Sequence, residues 1–95
     1  MMMESDVRST RRTSSGTVIS GPTRLKAMSL LAGATVGSVQ FRDGGASGTI
    51  LCEVDTPVGT SQTVQVLLPG NGIRFTTDIY ATFVGGVVAA TSYYA

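Results

Sequence analysis

From residue 16 onward, short apolar alternations are cut by glycine- and proline-rich turns about every eight to twelve residues, the spacing of short antiparallel strands. That punctuation limits the chain to an all-β fold. The expected architecture is a small β-sandwich or jelly-roll-like barrel of about seven or eight short strands with an extended N-terminal arm. Ninety-five residues allow one such domain.

The strands follow from side-chain alternation, because successive residues of a strand face opposite ways. Thr17, Val18 and Ile19 form a β-branched opening segment, closed by Gly21 and Pro22. Residues 23–31 fit two periods: Leu25, Met28 and Ala32 would share a helical stripe. At period two, Leu25, Ala27, Ser29 and Leu31 lie opposite Arg24, Lys26, Met28 and Leu30. The β-rich surroundings favour the strand. Residues 36–42 place Val39 and Phe41 inward, and Asp43, Gly44 and Gly45 supply a hairpin turn in which glycine takes the positive φ. Ile50, Cys52 and Val54 point inward on the return strand, and residues 55–61 are a loop by composition.

Val64, Val66 and Leu68 share one side of the next strand, which Pro69, Gly70, Asn71 and Gly72 end. Ile73, Arg74 and Phe75 make a short strand, Thr76, Thr77 and Asp78 a turn, and residues 79–84 a further strand. Gly85 and Gly86 then read as a two-residue hairpin turn leading into residues 87–94.

Residues 1–15 (MMMESDVRSTRRTSS) differ in kind from the rest, being polar and without alternation. They are expected to be an extended arm, with residues 16–95 forming the single β domain. Ordering such a segment costs about 1–2 kcal/mol per residue of backbone entropy, so contacts with another molecule are expected to hold it. Arg8, Arg11 and Arg12 are the candidate contacts, each able to donate charge-assisted hydrogen bonds to partner carboxylates.

Chemistry is harder to find. The chain has no histidine and no tryptophan, so Ser–His or Cys–His nucleophilic pairs and histidine metal ligation are excluded. Cys52 is the only cysteine, leaving no intramolecular disulfide, and its strand position suits a small buried hydrophobe. Glu53 and Asp55 share a strand face but lack the dense oxygen spacing of a calcium loop. They read as solvated charges, and Asp78 as a residue that caps or turns the chain. Gly44, Gly45 and Gly48 lack the lysine and strand-to-helix context of a phosphate loop. No catalytic residue, cofactor or metal site is therefore expected, and the chain is not expected to be an enzyme.

Seven basic and six acidic side chains nearly cancel, which argues against a nucleic-acid reader. No apolar run approaches a membrane span, and no secretory signal opens the chain, so membrane association is not expected. Of the adjacent Tyr93 and Tyr94, one should face inward and the other outward toward an interface.

The segments GTVISGPTRLKAMSLLAG, GSVQFRDGGASGTILCEVDTP and LLPGNGIRFTTDIYATF resemble small structural proteins of tailed bacteriophages, notably those of marine and cyanobacterial hosts. The resemblance rests on Gly16-Thr17-Val18, Arg24-Leu25-Lys26, residues 39–45, residues 69–75 and Ile79-Tyr80-Ala81, and leaves residues 1–15 unmatched. It implies a virion protein made in the host cytoplasm, most naturally a capsid decoration or cement protein on the capsid surface. It also implies contacts with the major capsid protein or other virion proteins, and self-association, with a trimer favoured. Arg8, Arg11 and Arg12 would then serve as arm contacts and Tyr93 or Tyr94 would lie near a self-association surface. A head–tail connector, tail or fibre component with receptor or glycan binding is the alternative.

Overall fold

The computed structural model describes residues 7–57 and 62–95. Among these residues there are nine strands and no helix: β1 Arg8–Arg12, β2 Gly16–Ser20, β3 Thr23–Leu31, β4 Gly37–Asp43, β5 Thr49–Thr56, β6 Thr63–Leu67, β7 Ile73–Phe75, β8 Asp78–Gly85 and β9 Ala89–Tyr94. They form two antiparallel sheets. The first runs β1-β9-β3-β6 with β7 also on β3; the second runs β2-β8-β4-β5.

The pairings are nested. β4 pairs β5 at the centre of the chain, β3 pairs β6 and β7, β2 pairs β8, and β1 pairs β9. The chain is thus one long hairpin folded about the β4–β5 turn and rolled into two facing sheets, joined laterally by β3–β9 and β4–β8. This is the jelly-roll winding. Between the sheets lie Val18, Leu25, Met28, Leu30, Val39, Phe41, Phe75, Ile79, Ala81, Ala90 and Tyr94.

β3 is a strand, but the parity expected along it changes midway. Leu25 is buried, and so are Met28 and Leu30 rather than Ala27, Ser29 and Leu31. The register against β9 slips between Leu25 and Ala27, so Lys26 is one residue too many. A one-residue bulge exchanges the two faces of everything beyond it.

One turn also departs from expectation. Gly85 and Gly86 do not close a hairpin, because β8 and β9 belong to different sheets. They carry the chain across the sandwich, and the Gly86 N–H donates to the Val36 carbonyl at 3.1 Å. Residues 69–72 end β6 as expected. β6 and β7 lie in line along the same edge of β3, and these four residues loop out between them.

Residues 8–12 of the expected N-terminal arm are extended, but the chain itself holds them. All five residues of β1 pair with β9, from Arg8 opposite Tyr94 to Arg12 opposite Ala90. The compositional boundary at residues 15 and 16 is therefore not a structural one. β1 lacks apolar alternation because it is an edge strand, where charged side chains are the usual way to discourage further pairing. Residues 1–6, and residues 58–61 of the expected 55–61 loop, lie outside the described residues.

The β4–β5 turn is clasped to the β7–β8 turn by two aspartates. The Asp43 carboxylate accepts from the Thr76 N–H at 3.0 Å, the Thr76 hydroxyl at 2.8 Å and the Thr77 N–H at 2.8 Å. Reciprocally, Asp78 Oδ1 accepts from the Gly44 and Gly45 N–H groups at 2.9 and 3.1 Å. The backbone donors of Thr76 and Thr77 hold the Asp43 carboxyl at about 2, below its ordinary 3.8.

A depressed folded-state value stabilises the fold above the unfolded value and loses that contribution as pH falls through the folded one. Urea midpoints measured between pH 5 and pH 2 are therefore expected to fall mainly below the unfolded carboxyl value of 3.8 and down to about 2. Asp43→Asn should flatten that part of the profile. An identical acid profile in the variant would remove Asp43 from the clasp.

Candidate association surfaces

β1 and β2 pack against each other along one rim of the sandwich, whereas β5 and β6 are the outermost strands along the other. The closed rim is where the predicted arginines sit. Arg8, Thr10 and Arg12 alternate toward the inside of β1, opposite Tyr94, Ser92 and Ala90. Arg12 folds back over the β1–β2 turn and donates to the carbonyls of Ser14, Ser15 and Thr17 at 3.1, 3.4 and 3.3 Å. Arg8 lies over the Tyr94 ring, 5.9 Å from its centroid, a cation–π distance. These two arginines therefore fasten the chain to itself. Arg11 is exposed on the opposite face of β1.

The two tyrosines divide inward and outward. Tyr94 is buried, and its hydroxyl and that of Thr10 are 2.8 Å apart, a hydrogen bond between β9 and β1. Tyr94→Phe is expected to cost about 0.5–1.5 kcal/mol and to speed amide exchange in β1 above all. Both are readable by denaturant unfolding and hydrogen exchange. Uniform exchange across the domain would deny the bond this local role.

Tyr93 points outward, 38 % exposed. Cross-strand register sets Ser9, Tyr93, Ala27 and Leu67 in one row across β1, β9, β3 and β6. Leu67, the last residue of the edge strand β6, is 84 % exposed, an unusual state for a leucine. Arg24 and Arg74 face each other across β3 and β7 near one end of the same sheet. This outer face combines two large apolar side chains with cations. Sequence reasoning found Tyr93 but not Leu67, Arg24 or Arg74, because the partners that make them neighbours are distant in the chain.

The open rim has a different character. Cys52 and Val54 on β5, and Val64 and Val66 on β6, turn toward the core yet stay only half-buried. Ile50, expected to point inward, is exposed together with Leu51, because the register against β4 slips there: Phe41 is opposite Cys52 but Arg42 is opposite Ile50. Each edge strand also carries backbone donors and acceptors with no further strand beside it among the described residues. Cys52 lies here, and burial pushes its thiol up, away from the reactive thiolate. Among the described residues no three cysteine, aspartate or glutamate side chains gather as a metal site. Glu53 instead accepts from Gln40 Nε2 at 3.2 Å and Ser38 Oγ at 3.4 Å.

What the geometry can do is present edges and faces to other macromolecules. Comparison with protein-family models, curated proteins and solved structures finds no match to the chain.

Proposed function

We propose that the chain is a bacteriophage virion structural protein, a capsid decoration or cement protein that bridges neighbouring capsid subunits. The observation that carries this reading is the open β5–β6 rim. Among the described residues it offers two strand edges with no further strand beside them, flanked by Ile50, Leu51 and half-buried Cys52, Val54, Val64 and Val66. An extended segment of a capsid subunit could add to either edge, with main-chain hydrogen bonds supplying affinity and the apolar side chains supplying register. The work done is mechanical: surface buried across a subunit boundary resists separation of the subunits.

Arg11 and Tyr93 remain as contacts on the outer face, while Arg8, Arg12 and Tyr94 act by holding β1 in place. The exposed Tyr93 also supports a tail or fibre component that binds a receptor or glycan, since tyrosine offers rigid amphipathic contact area. Counting the protein in purified particles separates these. A copy number matching the capsid lattice supports decoration, a single ring's worth supports a connector or tail part, and absence from the particle overturns both.

A further inference from the structure

Charge is sorted by sheet. The strands β1, β3, β6, β7 and β9 carry Arg8, Arg11, Arg12, Arg24, Lys26 and Arg74 and no acid. The strands β2, β8, β4 and β5 carry Arg42 with Asp43, Glu53, Asp55 and Asp78. Near-neutral composition conceals a basic sheet stacked on an acidic one.

Each sheet concentrates its charge beside exposed apolar surface. On the basic sheet, Arg24 and Arg74 stand directly opposite each other, an arrangement that costs stability when no counter-charge lies nearby. They border a cleft of about 240 Å³ together with Pro22, Thr23 and Ala95. Leu67 and Tyr93 lie farther along the same face. On the acidic sheet, a cleft of about 450 Å³ is bordered by Asp55, Ser38, Thr56, Val36 and Val84. Asp55 is exposed there, Val36 is 63 % exposed, and Thr56, 3 % exposed, has a hydroxyl with no hydrogen-bond partner.

The clefts lie on opposite sheets and at opposite ends of the sandwich. The first is beside the β2–β3 turn; the second is where the chain crosses between sheets after β3, β5 and β8. They cannot meet within one molecule.

We propose that the Arg24–Arg74 cleft of one copy docks on the Asp55 cleft of a second copy. Guanidinium meets carboxylate, and Val36 and Val84 at the acidic cleft come against the basic face, along which Leu67 and Tyr93 are exposed. Because one copy offers both halves, the contact is head-to-tail, and its geometry closes into a ring or continues as a filament. The contact uses side chains at the sheet faces, Asp55 of β5 among them, rather than the backbone edges of β5 and β6, so it stands whether or not the chain belongs to a virion.

The test is sedimentation of the purified full chain. The wild type is expected to form an oligomer at low salt that dissociates at about 1 M salt, where screening acts over roughly 3 Å. Arg24→Glu with Arg74→Glu in one variant, and Asp55→Arg in another, should each abolish the oligomer. Far-UV circular dichroism and cooperative unfolding check that both variants fold, and Asp55→Asn provides a milder substitution expected to weaken association.

Mixing the two reversed variants is expected to restore association, because each retains the half that the other lacks. A monomeric wild type at low salt, an oligomer unaffected by either reversal, or a mixture that stays monomeric would overturn the proposal. So would capture of a single-stranded DNA oligonucleotide through Arg24 and Arg74 without self-association, which would assign the basic face to a polyanion.

Discussion

Phe41→Ala is expected to destabilise the domain by about 3–5 kcal/mol, the range for truncating a buried aromatic side chain. Phe41 is fully buried on β4, a central strand of its sheet, between β5 and β8. Its register partners are Cys52 and Ala81, both small. Neither can fill the space that a lost ring leaves, so the residual cavity should remain large. A domain of this kind holds only about 5–15 kcal/mol in total, so the variant would lie near unfolding at ambient temperature. Urea denaturation should show a much lower midpoint with an unchanged slope. A cost below about 1 kcal/mol would mean that Phe41 does not seal the centre of the sandwich.

Gly72→Ala should be the most damaging of the conservative changes. Gly72 has φ +82°, where an L side chain costs about 1–2 kcal/mol. A Cβ there would also overlap the carbonyl oxygen of Leu25, which is backbone and cannot swing aside. The loop 69–72 would have to lift away from β3, taking the three residues of β7 with it. Gly70→Ala is the natural control, since that residue also has a positive φ but nothing within 4 Å of the added Cβ. The Gly72 variant is expected to lose clearly more stability and to expose β7 amides to exchange. Equal losses in the two variants would show that φ strain alone accounts for the effect.

The two turns built around Gly44–Gly45 and Gly85–Gly86 show what local sequence can and cannot settle. Both pairs mark reversals, and both contain a positive φ. Only the first joins hairpin partners, since β5 returns beside β4 while β9 crosses to the other sheet. Nothing within the dipeptide distinguishes the cases. The difference lies in which distant strand competes for the unpaired edge. Lys26 makes the same point about faces: its bulge moves Met28 and Leu30 inward, and the strict alternation written in residues 23–31 assigns them outward.

β1 is the clearest instance of tertiary structure overriding composition. Arg-Ser-Thr-Arg-Arg has no apolar face, yet β9 supplies a full edge for it to pair with. Tyr94 provides a ring beneath Arg8 and a hydroxyl for Thr10.

The sequence by itself determined that the molecule is all-β, where most of its strands lie and where its turns fall. It also determined that no histidine chemistry is available. These properties depend on side-chain alternation and on glycine and proline dihedrals, which act over a few neighbouring residues. Only the tertiary structure decided the nested jelly-roll pairing, the capture of β1, the face on which Leu67 is stranded and the separation of basic from acidic sheet. Those depend on contacts between residues far apart in the chain, where the free energy of pairing one edge is weighed against every other edge available.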